Sequence, residues 1–350
     1  MTYIRPIFRH PERPKNDLGY TRAEYEGGLS TLCAGCGHDS VNSAIVQACF
    51  ESNVEPHKVA KMSGIGCSSK SPAYFLRNSS GFNTVHGRMP SVTTGANMAN
   101  RELIYIAVSG DGDSASIGIG QFAHVVRKNL NMVYIVMNNG CYGLTKGQDS
   151  ATSDVGSTSN KGQPNLYEPI DLVSTALQLG ASFVARSFSG DKAQLIPLIK
   201  AAIAHHGFAL IDAISPCVTF NNTGQSTKSY DFVRAHNEAL NAVDFIDEKE
   251  AITAYYKPGH SEEIPLHDGS IIKLTKLNRE HDVTDRIAAI TAVENSKNKG
   301  EILTGLLFHD SQSQDTHSMI GTSEEPLNSL SQSELCPGMK VLEEINDSFR

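Results

Sequence analysis

The sequence predicts an α/β fold in which parallel strands alternate with helices. Residues 103–109 and 132–137 are short apolar runs rich in strand-forming residues, and both are bounded by turn residues. Residues 121–128 lie between them with apolar side chains at helical spacing. A strand, a glycine turn, a helix and a second strand make a βαβ unit, which joins parallel strands.

The same alternation continues along the chain as far as residue 217. Helices are predicted from residue 39 and over residues 91–100, 170–179 and 193–205. Strands are predicted over residues 181–185 and 208–214. Beyond this point the pattern weakens, with a helix predicted over residues 229–242, a hairpin over residues 266–274 around Asp268-Gly269 and a low-complexity stretch over residues 310–333.

Composition places the chain among ordinary α/β proteins. It has 350 residues, a net charge of −8 and no basic block, which argues against nucleic acid as a partner. No run is long enough for a membrane span, and the N-terminus lacks the apolar core of a signal peptide. We therefore expect a cytoplasmic protein, in which the seven cysteines are metal ligands, catalysts or buried fillers instead of disulfides.

Three regions are expected along the chain. Residues 1–28 are polar and contain prolines, which is typical of an extended arm on a neighbouring subunit or of a disordered tail. Residues 29–245 form the main domain, and residues 246–350 form an irregular C-terminal extension.

Oxygen ligands follow both strands of the first βαβ unit. Asp111 lies in Gly110-Asp111-Gly112-Asp113 after the first strand, and Asn139 follows the second. The ends of parallel strands lie side by side, and carboxylate and amide oxygens suit Mg²⁺. Gly110 and Gly112 would let backbone N–H groups approach a diphosphate. The alternative is an ordinary strand-end turn.

Four cysteines lie in turns at the ends of buried elements. Cys33 and Cys36 form a C-x-x-C pair, Cys67 lies in a glycine turn, and Cys217 follows the strand at 208–214. Alone, the pair is open to three interpretations: half of a zinc site, a redox pair, or half of an iron–sulfur site. A set of four cysteines from distant loops fits a [4Fe–4S] cluster. Cys49 lies in a helical pattern and is interpreted as a filler.

Seven motifs in one order resemble the β subunit of a 2-oxoacid:ferredoxin oxidoreductase, of the type that acts on 2-oxoglutarate. They are CAGCGH, GIGC, HGR, GDGD, NN, YGLTKGQ and SPC, and they cover residues 28–240. The pair GDG and NN at this spacing also resembles the thiamine diphosphate signature. The resemblance implies a thiamine diphosphate-binding fold with a doubly wound parallel sheet and helices on both faces. One departure is Ala34, where many members have proline, and it leaves the thiolates untouched.

The resemblance also implies the cofactors and their ligands. It implies one [4Fe–4S] cluster, and Mg²⁺ held with thiamine diphosphate. The implied cluster ligands are Cys33, Cys36, Cys67 and Cys217. The implied magnesium ligands are the side chains of Asp111 and Asn139 and the backbone carbonyl of Cys141. The remaining implied cofactor-binding residues are His38, Gly110, Gly112, Asp113 and Thr145.

Three residues near the implied cofactor are candidates for catalysis. His86 could hydrogen-bond an intermediate, Arg88 could pair with a carboxylate, and Lys146 lies in the YGLTKGQ run that members acting on 2-oxoglutarate carry. For His86 and Arg88 the alternative is a structural turn contact, and for Lys146 it is a solvated loop lysine.

The chain offers no glutamate that can be assigned to thiamine activation. The resemblance implies that a partner α subunit supplies it, in an (αβ)₂ heterotetramer that uses 2-oxoglutarate and CoA, forms succinyl-CoA and passes electrons to ferredoxin. The alternatives are the same chemistry on pyruvate or another 2-oxoacid, a non-redox thiamine diphosphate lyase, and a zinc-binding interaction protein.

Overall fold

The fold of the chain was obtained as a computed structural model, which describes residues 13–157, 163–219, 252–265, 271–336 and 338–350. The predicted helix at 229–242 and the turn at Asp268-Gly269 lie outside these residues. The strands are β1 (Val59–Ser63), β2 (Ser80–Asn83), β3 (Ile104–Gly110), β4 (Met132–Asn138), β5 (Cys141–Tyr142), β6 (Gln148–Asp149), β7 (Phe183–Phe188), β8 (Phe208–Ile214), β9 (Ser261–Pro265), β10 (Ile271–Lys276) and β11 (Ile302–His309).

The helices alternate with the strands of the first two thirds of the chain. The α-helices are α1 (Gly37–Glu51), α2 (Met89–Ala99), α3 (Ile119–Arg127), α4 (Leu172–Gln178), α5 (Lys192–Ala204), α6 (Arg286–Asn298), α7 (Thr316–Ile320), α8 (Gln332–Leu335) and α9 (Met339–Ser348). Short 3₁₀ helices occur at Arg22–Tyr25, Pro56–Lys58, Cys67–Ala73 and Leu327–Ser329, and a π-helix occurs at Gly112–Ile117.

The main sheet has nine strands in the order β2-β1-β3-β4-β8-β7-β11-β10-β9. The six strands from β2 to β7 are all parallel. β11 joins β7 in the antiparallel sense, so the strands of the expected C-terminal extension continue the same sheet. The predicted α/β class and the predicted parallel unit β3-α3-β4 are confirmed.

Helices cover both faces of the parallel strands. On β4, Tyr134 and Val136 face the core beneath α2, α3, α4 and α6. Val133, Ile135 and Met137 face the opposite core, beneath α1 and α5. Burial on both faces explains why β4 reads as a continuous apolar run without alternation.

The described part of the N-terminal arm packs on its own chain. Tyr25 is fully buried in the core beside α1, and its hydroxyl accepts from Asn16 Nδ2 at 2.8 Å. Glu26 pairs with Phe75 as an isolated bridge. Residues 13–28 therefore form part of the same folded unit as residues 29–219.

The C-terminal residues cover the edge of the core near α2. His317, at the second position of α7, is buried, and its Nε2 lies 2.9 Å from Asn97 Oδ1 on α2. The segment predicted as low-complexity thus contains short helices that contact the main domain. None of the helices in the described ranges is long and apolar enough to cross a membrane.

Candidate cofactor-binding site

The end of β3 carries a buried carboxylate. Asp111 is 1% exposed and directly follows Gly110, the last residue of β3. The π-helix that begins at Gly112 replaces the first turn of an ordinary crossover helix. Its Oδ1 accepts from the backbone N–H of Asn139 at 3.2 Å. Its Oδ2 accepts from the hydroxyls of Ser150 and Thr152. The predicted meeting of the two strand ends at Asp111 and Asn139 is therefore present in the structure.

The charge of Asp111 has only neutral hydrogen-bond donors around it. Burial raises the pKa of Asp111, and the hydrogen bonds from Ser150, Thr152 and Asn139 lower it. Within the described chain, no basic side chain forms an ion pair with it. A buried charge without a partner of opposite sign is costly. The surroundings of Asp111 therefore fit a bound cation such as Mg²⁺.

The turn after β4 carries a second side-chain oxygen, that of Asn139. Asn139 Oδ1 accepts from the backbone N–H of Cys141 at 3.1 Å. Asn138 Oδ1 accepts from the N–H of Gly140 at 3.3 Å, and Gly140 has a φ of 68°, which favours glycine. These contacts hold the Asn139 amide and the Cys141 backbone in one tight turn beside Asp111.

Asp113 holds the HGR loop against β3. Its Oδ1 accepts from the N–H of Gly87 at 2.9 Å and from Nδ1 of His86 at 3.1 Å. Its Oδ2 accepts from Ser109 Oγ at 3.0 Å. A Cβ at Gly64 would lie 1.9 Å from the same Oδ2, which explains the first glycine of GIGC. Asp113 therefore holds the His86 ring through its Nδ1.

A small cavity of about 70 Å³ joins these groups. It is lined by His38, Ile65, Gly66, Cys67, Ser68, His86, Gly110, Asp111, Gly112, Asp113, Asn139, Cys141, Tyr142, Gly143, Leu144 and Thr145. The Oγ of Ser68 is buried and has no hydrogen-bond partner among the residues that the structure describes. Such an unpaired donor is expected where a polar ligand binds.

Close backbone packing brings the two loops of the cavity together. A Cβ at Gly112 would lie 2.5 Å from Cε1 of Tyr142, whose hydroxyl donates to the carbonyl of Gly112 at 2.9 Å. Only glycine fits this contact. The cradle of backbone at Gly110 and Gly112 suits the close approach of a diphosphate.

The four cysteines come together next to this cavity. A Cβ at Gly143 would lie 3.6 Å from Cys67 Sγ and 3.7 Å from Cys217 Sγ, so both sulfurs flank the loop that lines the cavity. Cys36 donates its backbone N–H to the carbonyl of Cys33 at 3.0 Å, in a turn that Gly35 makes with a φ of 76°.

The thiols also act on one another electrostatically. Burial raises the pKa of Cys36 to about 12, with negative charge on Cys217 and Cys67 contributing to that rise. Burial likewise raises the pKa of Cys67, with Cys217 and Cys33 adding to the effect and Lys70 opposing it. Buried thiolates need positive charge nearby, which iron would supply.

Of the other three cysteines, Cys141 lines the cavity, and Cys49 and Cys336 do not. Cys49 is fully buried in the apolar core under α1, as predicted for a filler, and burial raises its pKa to about 12. Cys336 is exposed after α8. Among the residues that the structure describes, no three His, Cys, Asp or Glu side chains converge as ligands of a single metal ion. In a cluster each thiolate binds a different iron, so such convergence is not needed.

His38 joins the cysteine turn to the end of β8. It is 2% exposed, and its Nδ1 lies 2.6 Å from Ser215 Oγ. Burial lowers the pKa of His38 to about 4, so the ring is neutral at physiological pH. His38 lines the cavity, and the cofactor contact expected of it stays a prediction.

Thr145 lines the cavity, Lys146 follows it directly in the chain, and Arg88 precedes α2. All three are exposed, and Thr145 Oγ1 donates to Gln148 Oε1 at 2.5 Å. Lys146 has a φ of 79°, a left-handed conformation that costs a non-glycine residue about 1–2 kcal/mol. Strain of this kind is found at functional sites more often than elsewhere.

Sequence reasoning missed Ser68, Ser150 and Thr152. Ser150 and Thr152 lie in a polar loop about forty residues after Asp111. No motif in the sequence indicates that this loop folds back onto the Asp111 carboxylate. Ser68 follows Cys67 directly, and its position in a cavity wall could have been suspected from that neighbour.

Comparisons with known proteins agree with this geometry. The family described as "Thiamine pyrophosphate enzyme, C-terminal TPP binding domain" matches residues 64–213, which include Asp111 and Asn139. The 2-oxoacid:ferredoxin oxidoreductase subunit beta of Saccharolobus solfataricus is 42% identical over 199 residues, which are 57% of this chain and 65% of that protein. The chain thus spans just under two thirds of that relative.

Two further relatives are matched over most of their length. The 2-oxoglutarate synthase subunit KorB of Methanocaldococcus jannaschii is 34% identical over 63% of this chain and 82% of its own. A solved structure of 2-oxoglutarate:ferredoxin oxidoreductase from Magnetococcus marinus, with 2-oxoglutarate, coenzyme A and succinyl-CoA bound, superposes with a TM-score of 0.67 and 31% identity. That match covers 86% of this chain and 89% of the other. The chain belongs to the β-subunit family of the 2-oxoacid:ferredoxin oxidoreductases.

Proposed function

We propose that the chain is the β subunit of a 2-oxoglutarate:ferredoxin oxidoreductase. In this reaction 2-oxoglutarate and CoA give succinyl-CoA and CO₂, and two electrons pass one at a time through a [4Fe–4S] cluster to ferredoxin. The observation that carries the proposal is the contact between the two sites: Cys67 lines the cavity that holds Asp111 and Asn139, and Gly143 lies against both Cys67 and Cys217.

The chain's own residues would bind and orient the cofactor. Asp111 and Asn139, with the carbonyl of Cys141, would hold Mg²⁺ against the diphosphate. When bound, thiamine diphosphate supplies the carbanion that attacks the 2-oxo carbon and then accepts the electrons left as CO₂ departs. His86, held by Asp113, would offer its Nε2 to the reacting groups.

The four thiolates would hold the electron acceptor beside that reaction. Cys33 and Cys36 lie just before α1, Cys67 begins the 3₁₀ helix that follows β1, and Cys217 follows β8. The short separation between Cys67 and the cavity suits transfer of single electrons. A non-redox thiamine lyase has no use for such a set.

Lys146 and Arg88 would recognise the distal carboxylate of the substrate. Lys146 is exposed and follows Thr145, which lines the cavity, and its ammonium would meet the distal carboxylate of a dicarboxylic 2-oxoacid. Arg88 precedes α2 and could support it. The activating glutamate would come from an α subunit, in an (αβ)₂ assembly.

The test is reconstitution with the α subunit. The two chains are co-expressed without oxygen, and iron, acid-labile sulfide and thiamine diphosphate are quantified. Reduction of ferredoxin is then followed with CoA and a panel of 2-oxoacids. We expect four irons per β chain and the highest kcat/KM for 2-oxoglutarate. Thiamine without iron would indicate a lyase instead, and zinc without thiamine would indicate an interaction protein.

A further inference from the structure

A line of buried polar contacts crosses the sheet behind the predicted magnesium turn. Arg186 on β7 donates from Nε to Asp212 Oδ2 at 2.8 Å and from Nη2 to Asp171 Oδ1 at 2.6 Å. Asp212 on β8 accepts in turn from Asn138 Nδ2 at 3.1 Å, at the end of β4. Three neighbouring strands and the first residue before α4 are thus joined to the turn that contains Asn139.

The charges of Arg186, Asp212 and Asp171 are costly to bury unless they are paired. Each side chain is therefore held in place by its hydrogen-bond partners. Arg186 is 7% exposed and Asp212 is 0% exposed. Burial raises the pKa of Asp212, and Arg186 opposes that rise. The pKa of Asp171 is lowered by Arg186 and by the N–H groups of Val173 and Ser174, against the effect of burial. A buried ion pair can contribute little net stability to the fold. We therefore ask which local geometry the Arg186–Asp212 pair specifies.

The geometry that this line specifies is the orientation of one amide. A carboxylate at Asp212 only accepts hydrogen bonds, so the Nδ2 of Asn138 must face it. The Oδ1 of Asn138 is thereby turned toward the N–H of Gly140, at 3.3 Å. The same oxygen lies 3.3 Å from Thr152 Oγ1, which also donates to Asp111 Oδ2 at 2.6 Å. Asn138 therefore connects Asp212 to both sides of the cation site.

We propose that Arg186 and Asp212 are positioning residues for the magnesium-binding turn, and that they act through Asn138. They hold the Asn138 amide in the orientation that caps Gly140, and the capped turn presents Asn139 and the Cys141 carbonyl toward Asp111. The inference rests on the proposed function, because it concerns the same cation site. Partners one step removed from a metal ligand typically change metal affinity by about 10–100-fold when they are lost.

The experiment measures magnesium affinity separately from turnover. The full chain, co-purified with its α subunit, is stripped of cofactors, and Mg²⁺ is titrated at a fixed concentration of thiamine diphosphate while bound cofactor is measured by equilibrium dialysis. We expect an apparent Kd for Mg²⁺ about 10-fold or more higher in Asn138→Ala, and a smaller increase in Asp212→Asn, whose amide oxygen can still accept from Asn138. Activity at saturating Mg²⁺ and thiamine diphosphate should recover most of the loss, and iron content should not change.

A matched control is available at the next buried ion pair. Asp191 is 2% exposed, accepts from Gln194 N at the start of α5 and pairs with Lys276, and neither residue lines the cavity around Asp111. Asp191→Asn should lower the melting temperature and leave the Mg²⁺ Kd unchanged. An equal weakening of Mg²⁺ binding in this control would show that general destabilisation is the cause and would overturn the inference.

The outcomes separate the inference from the proposed function. If the wild-type complex binds neither Mg²⁺ nor thiamine diphosphate, the proposed function fails. If the wild type binds both and folded Asn138→Ala binds Mg²⁺ as tightly, the positioning role is wrong. Asn138 is only partly buried, so this variant decides the question even if Asp212→Asn does not fold.

Discussion

His38 Nδ1 and Ser215 Oγ lie 2.6 Å apart although 177 residues separate them in the sequence. Ser215 also donates its backbone N–H to the carbonyl of Asn138 at 2.7 Å. A Cβ at Gly37 would lie 2.7 Å from Ser215 Oγ, so the cysteine turn approaches β8 as closely as glycine allows. The residues after β8 thus contact the start of α1 and the end of β4, and they connect the predicted cluster to the predicted magnesium turn.

The first prediction concerns Asp111. Asp111→Ala should abolish thiamine-dependent activity, because the variant lacks the carboxylate expected to hold Mg²⁺. The cofactor-free variant should melt at the wild-type temperature or above it, since a buried charge without a cation is removed. Added Mg²⁺ and thiamine diphosphate should raise the melting temperature of the wild type but not that of Asp111→Ala.

Differential scanning fluorimetry with and without cofactor measures both effects. Asp347→Ala, an exposed aspartate in α9, is the control and should respond to the cofactor as the wild type does. Unchanged cofactor affinity in Asp111→Ala would remove Asp111 from the site.

The second prediction concerns the cluster ligands. Serine in place of Cys33, Cys36, Cys67 or Cys217 should lower the iron content, because a hydroxyl is a poorer ligand for iron than a thiolate. Cys336→Ser should retain the full content, since that thiol is exposed and lies apart from the four. Iron and acid-labile sulfide are assayed on anaerobically purified protein. Full iron retention in Cys217→Ser would exclude that residue as a ligand.

The sequence was sufficient to locate the β3-α3-β4 unit and both of its strand ends, because continuous apolar runs and glycine turns are local signals. It did not reveal β1, whose central residue is Lys61. In the structure Lys61 is buried, and its ammonium donates to the carbonyls of Pro72, Phe75 and Leu76. A lysine is compatible with a buried strand only when distant carbonyls satisfy it, and no pattern within the strand indicates those carbonyls.

The sequence also gave no indication that β11 would join β7 as an antiparallel neighbour. That pairing brings together segments more than a hundred residues apart, and periodicity does not report register. The meeting of Ser150 and Thr152 with Asp111 was missed for the same reason. Asp111 and Asn139 could be paired in advance because a βαβ unit forces its two strand ends to one edge.

The third prediction concerns the partner subunit. The isolated chain, supplied with thiamine diphosphate, Mg²⁺ and its cluster, should decarboxylate 2-oxoacids far more slowly than the complex with the α subunit. The reason is that no glutamate of this chain could be assigned to activate the aminopyrimidine. Release of CO₂ from labelled 2-oxoglutarate is the measurement. A full rate from the isolated chain would contradict the need for a partner.

The fourth prediction concerns acid stability. The pKa of His205 is lowered from an ordinary value of 6.5 to about 4. Burial is the main cause, and the neighbouring His309 and His206 add to it. Between these values the unfolded chain binds more protons than the folded chain, so stability falls as pH drops from about 6.5 to about 4. His205→Asn should flatten part of this decline in urea unfolding curves taken across that range.

His309→Asn serves as the comparison, since that ring lies 5.2 Å from His205 and contributes to its low pKa. It should raise the pKa of His205 and make the decline smaller. A decline of the same size in all three proteins would show that carboxylates, and not His205, cause it.

The last prediction concerns substrate choice, and it follows from Lys146. A second carboxylate brought to the cavity without a cation would be desolvated at a high cost, and an ammonium at Lys146 offsets part of that cost. The same ammonium would be left unpaired beside the methyl group of pyruvate, so it discriminates in both directions. A charge-assisted hydrogen bond contributes about 1.5–3 kcal/mol, which is about one to two decades in specificity.

We therefore expect Lys146→Ala to lower the ratio of kcat/KM for 2-oxoglutarate to that for pyruvate by about 10–100-fold, and Lys146→Arg, which keeps the charge, to lower it less. Lys340→Ala, an exposed lysine in α9, should leave the ratio unchanged. Alanine keeps a Cβ, so it does not relieve the strain of the left-handed φ at this position, and a loss of ratio in Lys146→Ala reports the missing charge. A ratio that does not move would show that another cation reads the distal carboxylate, and a wild-type preference for pyruvate would overturn the proposed substrate.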